Sequence, residues 1–176
     1  MANFVTVLRL VSIPFLVRAI LDARHATALA LFLAAALTDA LDGFLARRFH
    51  TETRLGAYLD PIADKLFLSI TYITLAYAGH VPWWLVAIIF GRDAWLLLAS
   101  IGALLLTRLR DFPPSVWGKA STFVQILCAL TVLVRNATPS AALDSLSSAL
   151  AYPVAALAFV SGIHYSWRGW TRVHPD

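Results

Sequence analysis

The chain has 176 residues, of which 60% are hydrophobic and 14% charged, with a mean hydropathy of +0.74. A water-soluble domain carries about 25% charged residues, so a deficit spread over the whole length points to a bilayer as solvent. The net charge of +4 calls for no nucleic-acid partner, and the lone cysteine, Cys128, excludes an intramolecular disulfide and a cysteine-built metal site.

A spanning helix needs about 20 mostly apolar residues. Segments near 5–22, 26–48, 57–78, 82–107, 117–135 and 146–167 meet or approach that length. The first is broken by Pro14 and Arg18 and has no clean small-residue cleavage site, so it is expected to be a helix and not a cleaved signal peptide. Short connections follow: Gly79 to Pro82 after the third segment, Asp111 to Pro114 after the fourth, and Asn136 to Ser140 after the fifth. Trp83, Trp84, Trp117, Trp167 and Trp170 fall near segment ends, where an interfacial aromatic belt belongs. No linker, repeat or low-complexity tract interrupts the pattern. The expected fold is therefore an all-α integral membrane protein of six transmembrane helices, a single domain over residues 1–176.

Six spans put both termini on one side. That side carries ten basic residues (Arg9, Arg47, Arg48, Arg54, Lys65, Arg108, Arg110, Lys119, Arg168 and Arg172) against three on the other (Arg18, Arg24 and Arg135). By the positive-inside rule the termini and the 48–55 loop are cytoplasmic. Arg92 stands alone inside the fourth segment.

Four of the ten acidic residues, Asp39, Asp42, Asp60 and Asp64, crowd into 26 residues at the cytoplasmic end of the second and third segments. An aspartate deep in a bilayer costs about 2.5–3.5 kcal/mol, so these carboxylates require a neutralising partner. Asp39, Asp42, Gly43 and Ala46 follow i, i+3, i+4, i+7, and Gly56, Asp60, Ala63 and Asp64 follow i, i+4, i+7, i+8. Each set lies on one helical face. A loop of eight residues makes the two helices antiparallel neighbours, which converges the carboxylates on a cleft with small walls. Hard cations such as Mg²⁺ or Mn²⁺ prefer such oxygen ligands, with substrate phosphates completing the shell. Two of them about 4 Å apart clamp the attacking and leaving oxygens of a phosphoryl transfer. Arg47 at the mouth offsets phosphate charge.

The stretch TDALDGFLARRFHTETRLGAYLDPIADK resembles the signature of the CDP-alcohol phosphatidyltransferase family, matched at Asp39, Asp42, Gly43, Ala46, Arg47, Gly56, Asp60 and Asp64. The resemblance extends to Asn3, Thr6, Arg9 and Pro14, to Gly91-Arg92-Asp93, and to Gly118, Lys119, Thr122 and Gln125. It implies a six-helix, usually dimeric fold with a cleft at the cytoplasmic side, in a membrane expected to be the bacterial inner membrane. It implies two divalent metals, Mg²⁺ or Mn²⁺, held by Asp39, Asp42, Asp60 and Asp64. Thr6, Asp39, Asp42, Gly43, Ala46, Arg47 and Gly56 would bind the CDP-lipid. Asp64 would be the general base that deprotonates an alcohol for attack on CDP-diacylglycerol, with CMP leaving.

The acceptor is open at this stage. The Lys119 segment favours glycerol 3-phosphate, giving phosphatidylglycerophosphate. The Gly91-Arg92-Asp93 triplet resembles cardiolipin synthases, which use phosphatidylglycerol, at least as well. Arg92 is read either as an acceptor-phosphate ligand or as the ion-pair partner of Asp93 or of an aspartate of the cluster; Lys119 leans to the acceptor and Arg110 to a flank charge. His25, His50, His80, His164 and His174 lack ligand spacing and are expected at loops or helix ends. A prenyltransferase would separate its aspartate motifs widely. An ion transporter would show a repeat or mid-membrane acids. Neither pattern is present.

Overall fold

The computed structural model describes residues 2–49, 54–106 and 116–173, all of them helical or in the short turns between helices. Six helices follow in order: α1 Ala2–Leu21, α2 His25–Phe49, α3 Arg54–Tyr77, α4 Trp83–Leu106, α5 Val116–Ala137 and α6 Ala141–Val173. Of the loop expected at 48–55, residues 48–49 belong to α2 and 54–55 to α3, while 50–53 and the Asp111–Pro114 connection, with Arg110, His50 and His174, lie outside the described residues.

Apolar length forecast five of the six helices to within a few residues. The exception is α6, which begins at Ala141 where the segment was expected near 146. Asp144, Ser145, Ser147 and Ser148 interrupt the apolar run just after its start, yet that start is well capped. The Ser140 hydroxyl accepts from the Leu143 amide at 3.3 Å, and Asp144 stands in the first turn against the helix dipole. At its other end α6 runs on to Val173, so His164 lies well inside a helix. Among the described residues, Val116–Ala137 and Ala141–Tyr165 are each long and apolar enough to cross a bilayer.

The chain forms two compact units. The first comprises Met1–Val81 with Ala129–Leu143, the second Pro82–Cys128 with Asp144–Asp176. In the first unit α1 packs against both α2 and α3. The buried face of α1 carries Thr6, Arg9, Leu16, Ala19 and Ile20, the spacing of one helical stripe. On α2 the buried positions are Ala28, Phe32 and Ala35, and on α3 they include Ala63, Phe67, Thr71, Thr74 and Leu75. Small residues dominate, as close packing in lipid requires. Thr71 and Thr74 donate their hydroxyls to the carbonyls four residues back, Phe67 and Ile70, each at 2.7 Å, so neither carries an unmet polar group into the core.

Two turns of this unit close the same way. After α1, the Arg24 amide reaches the Ala19 carbonyl at 2.8 Å and Ala23 sits at φ 54°. After α3, the His80 amide reaches the Leu75 carbonyl at 2.8 Å and Gly79 sits at φ 77°. Both are Schellman closures with a left-handed residue at the position that favours glycine; Ala23 accepts that conformation at a cost. In the second unit Leu85, Val86 and Ile89 of α4 and Val154 and Ala158 of α6 are buried, and Trp84 meets Tyr152 with ring centroids 6.3 Å apart.

Candidate active site

Two ring contacts fix how α2 and α3 run. His25, at the start of α2, meets His80, just past the end of α3, with centroids 5.9 Å apart and planes at 75°. Further along, Phe32 meets Phe67 at 5.6 Å. Rising numbers on one helix meet falling numbers on the other, so the pair is antiparallel. Asp39 stands seven residues beyond Phe32, and Asp60 seven residues before Phe67. At 1.5 Å rise per residue each is about 10 Å farther along its helix, at the same level of the pair. Helix α2 continues through Asp42, Gly43, Ala46 and Arg47, and α3 contains Gly56, Asp60 and Asp64. In register, Asp39, Asp42 and Ala46 prolong the series Ala28, Phe32, Ala35 by alternating steps of four and three; Gly56 and Asp60 prolong the series ending at Ala63 and Phe67. The side chains of Asp39, Asp42, Gly43, Ala46, Arg47, Gly56 and Asp60 lie outside the described residues.

Asp64 is described, and it is engaged. Its carboxylate forms an ion pair with the guanidinium of Arg9 on α1; the side chains are 49% and 5% exposed respectively. One turn before Arg9, Thr6 is buried on the same face of α1. Sequence reading placed Arg9 only in a charge count and in a resemblance, and did not bring it to the aspartates. The available signal was an arginine inside an apolar helix at i+3 from Thr6, which needs a carboxylate from a neighbour.

The donor set fits a hard cation. All the candidate ligands are carboxylates, and the one described already holds a cationic group of the protein itself, the Arg9 guanidinium. Among the described residues no cluster of three histidine, cysteine or acidic side chains occurs.

The two acceptor candidates belong to the second unit. Arg92 on α4 is 12% exposed and pairs with Asp93, 13% exposed, at 2.8 Å through Nη1, while Nη2 donates to Ser161 Oγ of α6 at 2.9 Å. Of the readings open for Arg92, the pair with Asp93 is formed, and it gains a third member from α6. Arg92 Nε is buried without a hydrogen-bond partner among the described residues. Lys119, near the start of α5, is exposed. Gln125 donates to Ser121 Oγ at 3.2 Å one turn away, and Thr122 Oγ1 donates to the Gly118 carbonyl at 3.2 Å, so both side chains bond within α5.

Away from the aspartates, His25 and His80 come together although 55 residues separate them. Burial, then Arg135, then His25 hold the His80 imidazole below its usual value of 6.5.

A sequence profile of the CDP-alcohol phosphatidyltransferase family matches residues 1–163. The chain is 37% identical over 131 residues to a probable phosphatidylglycerophosphate synthase of Mycobacterium tuberculosis, covering 71% of this chain and 61% of that protein. With the CDP-diacylglycerol–glycerol-3-phosphate 3-phosphatidyltransferase of Aquifex aeolicus it shares 32% identity over 180 residues, 99% of this chain and 98% of the relative. With the CMP-forming cardiolipin synthase of Homo sapiens it shares 33% over 186 residues, 93% of this chain and 60% of the relative. The chain therefore spans about three fifths of the mycobacterial and human proteins and almost all of the Aquifex one.

Proposed function

The chain belongs to the CDP-alcohol phosphatidyltransferase family, and we propose that it transfers the phosphatidyl group of CDP-diacylglycerol to glycerol 3-phosphate, yielding phosphatidylglycerophosphate and CMP. The observation that carries the acceptor is the match along 99% of this chain to a relative named for that acceptor. A second reading, cardiolipin synthesis with phosphatidylglycerol as acceptor, is favoured by the similarity to the human enzyme and by Asp93 beside Arg92.

In this reading the six helices are six spans of one membrane domain, with termini and cleft on the cytoplasmic side of a bacterial inner membrane, and the chain works as a homodimer. Asp39, Asp42, Asp60 and Asp64 hold two divalent cations, Mg²⁺ or Mn²⁺. Bound there, such ions neutralise the diphosphate and the departing CMP. Thr6, Gly43, Ala46, Arg47 and Gly56, with Asp39 and Asp42, seat the CDP moiety; the glycines and alanine admit it close to the backbone. Asp64 takes the proton of the acceptor hydroxyl. The freed oxygen forms a bond to the phosphorus bearing diacylglycerol, and the bond from that phosphorus to the CMP oxygen breaks. Lys119 and Arg92 receive the acceptor phosphate. Asp93 and Ser161 hold two of the Arg92 donors in place, and its Nε remains without a protein partner among the described residues.

The test is turnover of the purified protein in detergent with CDP-diacylglycerol and Mg²⁺ or Mn²⁺. Glycerol 3-phosphate and phosphatidylglycerol are supplied in separate reactions, with CMP and the lipid product both followed. Metal-dependent CMP release with glycerol 3-phosphate alone is the expected result. Release with phosphatidylglycerol alone would move the assignment to cardiolipin synthesis, and release with neither would refute both acceptors.

A further inference from the structure

We propose that Arg9 is a built-in counter-cation for the acidic site, one that holds Asp64 while no metal is bound and so weakens divalent binding. The inference rests on the reading of Asp64 as a metal ligand and adds a regulator of that same site. Arg9 is 5% exposed on the face of α1 that also buries Leu16, Ala19 and Ile20. A guanidinium cannot be taken out of water there without a carboxylate partner, because an unpaired buried charge costs several kcal/mol. It meets Asp64, which keeps its other face half open.

An acidic site in a membrane protein has a difficulty before its ligands arrive. Its carboxylates repel one another and have too little water to screen them. Arg9 answers that difficulty at one of the four, since the countercharge comes from a helix packed on both α2 and α3. The same contact sets a cost on loading: a cation reaching Asp64 finds its charge already offset and must share the carboxylate with the guanidinium or displace it. Arginine suits that part because it remains charged at every relevant pH and engages a carboxylate through a planar fork.

The experiment measures Mn²⁺ binding to the purified protein in detergent, with no lipid substrate, by electron paramagnetic resonance of free Mn²⁺ and by the rise in melting temperature on adding the ion. Wild type is compared with Arg9→Gln, which removes the charge, and Arg9→Lys, which keeps it. We expect Arg9→Gln to bind Mn²⁺ about tenfold more tightly, the scale of removing one cation a few Å from a carboxylate at the protein edge. Its melting temperature without metal should fall while its metal-induced rise grows. Arg9→Lys should stay within about threefold of wild type, since the opposing charge is retained. A merely structural role makes the opposite forecast, because a loosened site binds metal less well. Unchanged or weaker Mn²⁺ binding by Arg9→Gln would overturn the inference. Wild-type protein that binds no Mn²⁺ at all would sink the metal reading beneath it instead, and the two failures are distinguishable.

If Arg9→Gln alone does not fold, combining it with Asp64→Asn removes both charges. A double variant that folds and melts above Asp64→Asn alone, measured without metal, supports the pairing. Losses in the double variant that equal or exceed those of Asp64→Asn alone overturn it.

Discussion

Replacing Asp64 by Asn keeps the shape of the side chain and removes its charge, and two consequences of very different size follow. The first is on stability. Arg9, 5% exposed, loses its charged partner at this position. Breaking a fully buried ion pair from one side costs about 3–5 kcal/mol. Asp64 is 49% exposed, however, so solvent screening lowers the figure to about 1–2 kcal/mol. For a chain of this length each kcal/mol is worth about 2–4 °C, so the melting temperature should fall by about 2–8 °C. The second consequence is on turnover. Without a carboxylate to take the acceptor proton, CMP release should fall by about 10²–10⁴-fold. The assay follows both quantities on one preparation, with retention of CDP-diacylglycerol binding as the control. A variant that keeps more than a tenth of wild-type turnover would refute the base role. So would one that loses folding and CDP-lipid binding together with activity, since Asp64 would then be structural.

Arg92→Ala should raise the apparent KM for the acceptor more than that for the CDP-lipid; an equal rise in both would assign the Arg92, Asp93 and Ser161 group to structure alone. Ala23→Gly relieves the φ of 54° at the α1 turn and should stabilise the protein by about 0.5–1 kcal/mol in thermal unfolding, while Gly79→Ala at φ 77° should destabilise by a similar amount. His80 carries a lowered folded value, caused by burial, Arg135 and His25 in that order. The unfolded chain therefore takes up the proton first, so the His80 contribution to stability is present above about 6.5 and is lost as pH falls through the folded value. Melting temperature should drop between about pH 7 and pH 5, and His80→Gln should flatten that slope; an unchanged slope would refute the assignment.

Hydropathy and positional chemistry carried most of the architecture, because a bilayer demands length and apolarity that a single sequence displays openly. The four aspartates stood out for the same reason, as charges where lipid tolerates few. The eight-residue loop also showed that α2 and α3 lie antiparallel, but which side chains meet across helices did not show. Arg9 and Asp64 are 55 residues apart and on helices whose faces had been matched to no third partner. The Ser161 hydroxyl that completes the Arg92 pair lies 69 residues from it. His25 and His80 each looked like an isolated end residue, although an antiparallel α2–α3 pair necessarily brings the start of one helix to the end of the other. The early start of α6 escaped notice because Ser140, Asp144, Ser145, Ser147 and Ser148 break the apolar run around its first two turns, and the cap at Ser140 alone marks where it begins.

Phe32 and Phe67 stack two turns from Asp39 and Asp60. Helix axes pack about 8–10 Å apart according to the size of the side chains at the contact, so two rings make a thick shim beside the buried alanines Ala28, Ala35 and Ala63. In the proposed reading, the spacing of the acidic ends of α2 and α3 is thereby governed by an apolar spacer that takes no part in the chemistry. Trimming one ring to leucine should let the two helices approach at that level, without touching any of the proposed metal ligands. If that end holds metal and nucleotide as proposed, the room it offers them is adjustable from inside the hydrophobic core, by choosing how wide the shim is.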